Sequence, residues 1–123
     1  MFSHAVLGTN DLARSKKFYN AIFTAVGGPA PIDTNPGMLI YAHKGAMLVI
    51  KSPLNGLPAT YANGGTIGYA LNPEEALAWH KAGVENGGIN CEDPPGYREG
   101  TPYHLAYLRD PDGNKLCAFH IKS

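Results

Sequence analysis

The chain is poor in cysteine, in charged residues and in long apolar runs, and each shortage removes a class of protein. Cys91 and Cys117 are the two cysteines among 123 residues. Two are too few for a disulfide framework, and they form no C-x-x-C pair, so a reducing, cytoplasmic setting is the default expectation. Charged residues make up 16% of the chain, with ten Lys and Arg balanced by ten Asp and Glu. Without a positive excess to capture polyanions, neither nucleic acid nor a membrane surface is expected as a partner. No apolar run approaches the roughly 18 residues needed to cross a bilayer. The opening "MFSHAVLGTND" lacks a basic segment followed by an apolar one, so no secretory signal is expected.

What is abundant is apolar residues, at 44%, together with fifteen glycines and ten prolines. The first supplies a core for one domain of this length, and the second supplies turns between short strands. The pattern along the chain fits. "SHAVLG" reads as a strand. Asn10 is placed to cap the helix "DLARSKKFYNAIF", whose Leu12, Tyr19, Ile22 and Phe23 form one apolar stripe. Gly27 and Gly28 end it, and the strands "MLIYAH" and "AMLVIK" follow across a Lys44-Gly45 turn.

After a linker the plan restarts. "TIGYAL" is a strand, Asn72 caps a second helix with Pro73 at its first position, and Glu75 completes a capping box. Gly87 and Gly88 end that helix. A weak strand near Ile89, a loop "DPPGYREGT", and the strands "PYHLAYLR" and "KLCAFHI" complete the chain. Thr66 follows His4, and Asn72 follows Asn10, by 62 positions; Cys117 follows Val49 by 68. The chain therefore reads as βαβββ-linker-βαβββ, with module one at 1–51, the linker at 52–64 and module two at 65–123. Neither half can bury its sheet face alone, so the two pack together.

The turn "DPDGN" has a local mechanism: Pro111 presets φ, and Gly113 accepts a positive one. Beyond it, Lys115, Cys117 and Phe119 point one way, and Leu116, Ala118 and His120 the other. Both faces are largely apolar, so one should lie under a helix and the other should line an enclosed space. In "TIGYAL" the bulky Ile67, Tyr69 and Leu71 oppose the small Thr66, Gly68 and Ala70. In the first strand His4, Val6 and Gly8 form the matching face.

Carried by "HAVLGTNDLARSKKFYNAIF", "AWHKAGVENGG" and "YLRDPDGNKLCAF", the whole arrangement resembles the vicinal-oxygen-chelate superfamily of glyoxalase I, bleomycin-resistance proteins and extradiol dioxygenases. The resemblance implies an α+β fold of two paired βαβββ modules, with curled mixed sheets around a cleft. It also implies homodimers, with clefts often completed by the partner chain. In the metal enzymes of that superfamily four cleft positions, usually His, Glu or Gln, bind a divalent ion. Matched residue by residue they fall on His4, Val49, Thr66 and Cys117. A catalytic zinc needs about three protein ligands, whereas this set holds one imidazole, one thiol, one hydroxyl and one alkyl group. No cofactor is expected. If a divalent metal binds, His4 with Cys117 holds it.

The expected cleft lining is His4, Val6, Val49, Thr66, Gly68, Cys117 and Phe119. The loop "DPPGYREGTPYH" adds Tyr97, Arg98, Tyr103 and His104 as ligand-binding candidates, because an arginine beside aromatic rings can hold a carboxylate or a flat ring. An ordinary surface loop would carry the same residues. Cys117 reads as core packing, as a reactive thiol or as a soft-metal ligand. Three functions stay open. The first is a metal-free module that binds a small organic molecule. The second is a metal-dependent lyase or isomerase resembling glyoxalase I, for which the sequence identifies no carboxylate base. The third is a structural or regulatory dimer without a ligand.

Overall fold

In the computed structural model, which describes residues 1–33 and 36–123, β1 (His4–Gly8), α1 (Leu12–Ala25), β2 (Met38–His43) and β3 (Ala46–Lys51) form the first half. The second half contains β4 (Ile67–Ala70), α2 (Pro73–Glu85), β5 (Ile89–Asn90), β6 (Gly96–Tyr97), β7 (Tyr103–Arg109) and β8 (Lys115–Ile121). The strands build two open mixed sheets, β1-β3-β2 and β4-β8-β7-β5, with β6 also on β7. In each sheet the first strand runs parallel to the last, which requires the helical crossover. Val6 lies opposite Val49, and Gly68 opposite Cys117. The offsets of 62 and 68 therefore join equivalent strand positions in the two sheets. The fold is mixed α+β, two helices on two sheets that do not close into a barrel.

The sequence predicts three strands after each helix, and proline modifies both sets. After α1 the first of the three is a single bridge, Ile32 to Ile40. Pro29 and Pro31 precede Ile32 and cannot donate to a ladder. After α2 the corresponding edge is cut into β5 and β6. Glu92 leaves the strand with φ 62°, Pro94 and Pro95 have no N–H, and pairing resumes inside the expected loop where Gly96 meets Leu105.

The Asn72–Glu75 capping box forms as expected. Asn10 does not cap α1. Asp11 does, its side chain accepting from the Arg14 amide, because Asn10 is held by two hydrogen bonds to the Ala59 backbone. Phe18 and Ser15 join Tyr19, Ile22 and Phe23 on the buried face of α1. Phe18 enters a slot left by Gly83 and Gly88: a Cβ at Gly88 would strike its ring, and one at Gly83 would strike Leu108 and crowd that ring. One continuous core results, from Tyr41, Leu48 and Ile50 of the first half to Trp79, Leu108 and Leu116 of the second.

The halves are also latched by their hairpin turns. Asp112, in the turn between β7 and β8, accepts from Thr9 Oγ1 at 2.8 Å, Asn10 N at 3.0 Å, Arg14 Nη2 at 2.8 Å and Ser15 Oγ at 3.2 Å. Asp110 accepts from the Tyr19 hydroxyl at 2.5 Å, and Asn114 donates to the Gly8 carbonyl. In the other direction Lys44, between β2 and β3, donates to the Ala70 carbonyl and to Glu75.

Candidate functional site

Each sheet has one face on the helices and one open face. In the first sheet Ala5, Leu7, Leu48 and Ile50 pack on the core, while His4, Val6 and Met47 are exposed. In the second, Leu108, Leu116 and Ala118 are fully buried. The open side carries Gly68, Tyr103, Tyr107, Cys117 and Phe119, grouped by the pairings Gly68–Cys117 and Tyr107–Cys117. Strand alternation thus places His4, Val6 and Val49 on one open face, and Gly68, Cys117 and Phe119 on the other. Thr66 lies one residue before β4, exposed.

Cys117 is buried, and burial pushes its thiol pKa up, with the Glu92 carboxylate adding to the rise. The hydrogen bond with Tyr107 and the cations Lys115 and Arg98 oppose that rise without cancelling it. The thiol form is favoured, which suits packing better than nucleophilic chemistry. Tyr103 and Phe119 stack at a tilt, centroids 5.5 Å apart, on the same face.

The loop candidates divide. Arg98 donates to the carbonyls of Asp93, Pro94 and Gly96; it organises its own loop. His104 is paired with His120, one step out of phase with the Tyr107–Cys117 pair, so it lies on the sheet face opposite Cys117. Tyr97 stands edge-on to His104 at 5.0 Å and shares that side. Of the four, Tyr103 alone joins Cys117 and Phe119. His80 bonds Asn90 on the surface of α2.

Two groups escape sequence reasoning. The first is Glu92. Its φ of 62° turns the carboxylate onto Lys115, whose ammonium lies 4.9 Å from the Tyr107 ring centre. Carboxylate, ammonium, phenol and thiol thus gather at one end of the second open face. The second is a cavity of about 780 Å³ between β1, the β2–β3 hairpin and β4. His4, Thr66 and Gly68 border it, while Val6, Val49, Cys117 and Phe119 do not. It reaches inward to Phe23 on the buried face of α1 and to Tyr41, His43 and Tyr69, whose strand parity marks them as core.

The donor set does not suit a divalent ion at the four corner positions. Val49 is a buried alkyl group, Cys117 is a buried thiol whose pKa is pushed up, and Thr66 offers a hydroxyl. Imidazole, thiolate and carboxylate donors in threes are what transition ions take. Among the described residues no group of three or more His, Cys, Asp or Glu side chains is placed to hold a metal. No helix among them is long and apolar enough to cross a membrane.

Comparison with known proteins agrees with this architecture. The family model described as Glyoxalase/Bleomycin resistance protein/Dioxygenase superfamily matches residues 1–118. A crystal structure of a glyoxalase/bleomycin resistance protein from Albidiferax ferrireducens T118 is 48% identical, with a TM-score of 0.89 and 98% of each chain covered. A lactoylglutathione lyase from Agrobacterium tumefaciens shares the fold at 20% identity and a TM-score of 0.67, over 97% of this chain and 92% of that one. A glyoxalase-related enzyme from Fulvimarina pelagi does so at 22% and 0.70, over 97% and 86%. No curated protein matches the chain. With nearly its whole length matched by the family model, and two mixed sheets related by a repeated register, the chain belongs to the glyoxalase/bleomycin resistance protein/dioxygenase superfamily.

Proposed function

We propose that this chain is a small-molecule-binding member of its superfamily, acting without a metal at the four corner positions, as a cytoplasmic homodimer. The observation that carries the reading is the chemistry of those corners: the second half offers a hydroxyl and a buried thiol, and the first adds one imidazole to a buried valine. Such a set supports apolar contact with an organic molecule better than charge transfer to an ion. Exposed apolar side chains on the open faces, among them Val6, Met47, Phe119 and Ile121, support a second copy as the cover. Purified protein supplemented in turn with nickel, zinc and manganese should hold substoichiometric metal. Its melting temperature should rise with members of a panel of aromatic and amphiphilic compounds. One divalent ion per chain, lost in His4→Ala or Cys117→Ala, would overturn the reading. Light scattering on an eluting peak tests the dimer.

One observation favours the second reading, a lyase or isomerase. Glu92 supplies on the open face the carboxylate that an enolising reaction needs as a base, within reach of Lys115. Under that reading Glu92→Gln abolishes turnover of a 2-oxoaldehyde hemithioacetal; under the first there is no turnover to abolish.

A further inference from the structure

The chain holds three Asn-Gly pairs, Asn55–Gly56, Asn63–Gly64 and Asn86–Gly87. Asparagine is chemically labile, and a following glycine leaves it least protected, because glycine has no side chain to restrict the backbone or screen its amide. The reaction is internal. The glycine amide nitrogen, its proton lost to hydroxide, attacks the asparagine Cγ. The new C–N bond closes a succinimide ring, and the Cγ–Nδ2 bond breaks to release ammonia, which takes its proton from water. Water then adds to either ring carbonyl and yields aspartate or isoaspartate, the latter with one extra methylene in the main chain. Ring closure needs a free carboxamide, a free amide nitrogen and a backbone able to twist between them.

The fold withholds these conditions from two of the pairs. Asn86 ends α2, where its Nδ2 donates to the Ala82 carbonyl at 2.8 Å. Its amide and that of Gly88 both donate to the Gly83 carbonyl, at 3.2 and 2.8 Å, and Gly88 is packed against Phe18. Twisting this segment would undo the helix end. In the first pair the nucleophile itself is engaged: Gly56 N donates to the Pro53 carbonyl at 3.2 Å, and Asn55 Oδ1 accepts from the Leu57 amide at 3.0 Å. Asn63 differs in each respect. It is exposed, and among the described residues neither its side chain nor the Gly64 amide makes a hydrogen bond. One bond closes its turn, from Gly65 N to the Ala62 carbonyl at 3.1 Å. A Cβ built on Gly64 would meet nothing within 4 Å, so the turn stands in open space.

We propose that Asn63 is a site of spontaneous modification, deamidating to isoaspartate and aspartate in the folded protein ahead of Asn55 and Asn86. This does not depend on what the cleft binds. The product changes the linker and leaves the core alone. It adds a carboxylate to a chain with ten basic and ten acidic residues. As isoaspartate it also lengthens the main chain between Tyr61, which covers Gly113 and lies over Arg109, and Thr66 at the cavity edge.

Ageing the intact chain at mildly alkaline pH, with and without guanidinium chloride, and following each Asn-Gly peptide by mass spectrometry tests this. Unfolded, the three pairs should react at similar rates, because the reacting atoms are the same. Folded, Asn63 should react nearly as fast as in denaturant. Asn55 and Asn86 should each slow by about fivefold or more, the effect on the barrier of one retained hydrogen bond. An acidic species should accumulate on anion exchange of the native protein and should be lost in Asn63→Gln, whose longer side chain closes its ring far more slowly. Folding that slows Asn63 as much as the other two pairs would overturn the proposal, as would an acidic species that forms at the native rate in Asn63→Gln.

Discussion

Replacing Asp112 by alanine should destabilise the protein by more than a turn residue ordinarily does. Its side chain is 3% exposed and holds four donors from the β1–α1 junction. Arg14 is 46% exposed, so its ion pair is screened and contributes at most about 1 kcal/mol. The bonds from the Thr9 hydroxyl and the Asn10 amide, at 2.8 and 3.0 Å, are charge-assisted and worth together about 3 kcal/mol before relaxation. Ser15, at 3.2 Å, adds little. In the variant the single Thr9 hydroxyl proton turns to the Asp11 carbonyl, which offsets part of the loss. A net cost of about 3 kcal/mol corresponds to a fall of roughly 12 °C in melting temperature for a chain of this size. Thermal melts followed by far-UV circular dichroism measure it. A cycle with Thr9→Ala should return a coupling of about 1–2 kcal/mol, because the two side chains touch. A melt of Asp112→Ala within about 3 °C of the native protein, or strict additivity with Thr9→Ala, would refute the latch.

Three other outcomes are expected. Gly88→Ala should cost about 1–3 kcal/mol through overpacking, since its Cβ would lie 2.9 Å from the Gly83 carbonyl and 3.0 Å from that of Arg109 as well as against Phe18; a denaturant midpoint equal to the native one would contradict this. Cys91, half-buried, should alkylate with iodoacetamide before Cys117, whose buried thiol is pushed up in pKa; peptide mass mapping that finds Cys117 modified first would show it to be activated. The imidazole of His104 is held below its ordinary 6.5, first by burial, then by His120 and Arg98. The unfolded chain therefore binds the extra proton, and the stability contributed by neutral His104 is full above pH 6.5 and is lost as pH falls through the lower folded value. His104→Phe should flatten that part of the stability profile measured by urea unfolding.

The fold was legible where local chemistry and register agreed. Asn72, Pro73 and Glu75 specify a helix start on their own, and the alternation in "KLCAFHI" separates the helix-facing side chains from the open ones. It was less legible where a distant partner decides. Asn10 and Asp11 are both good caps, and the choice falls on Asp11 because Asn10 is claimed by Ala59, 49 positions away. The aspartates of "DPDGN" suit a turn, and nothing local says that they also reach Thr9 and Tyr19. For the site, strand parity grouped His4 with Val6 and Cys117 with Phe119, yet it could not show that Glu92 would leave its strand and swing onto Lys115. It placed Tyr69 on the helix-facing side, where its ring packs on Trp79, and left the facing of His43 open, which the register with Ala46 decides.

The latches explain how the corner positions could change without loss of the fold. Lys44 and Asp112 occupy turns 68 positions apart, and the carbonyls engaged by those turns, Gly8 and Ala70, are 62 apart. Each half thus grips an equivalent carbonyl on the other, once through the Lys44 ammonium and once through the Asn114 amide beside the buried Asp112 carboxylate. Together with the single core that runs from Tyr41 to Trp79, these contacts join the sheets without any ion between them. The four corners lie outside both the latches and the helix-packed core. A valine at one, opposite Val6, and a thiol at another, against Tyr107, therefore leave the architecture intact while altering what the open faces can bind. Changes of that kind redirect function at little structural cost, whereas a change at Asp112 would disturb the frame that holds every one of those faces in place.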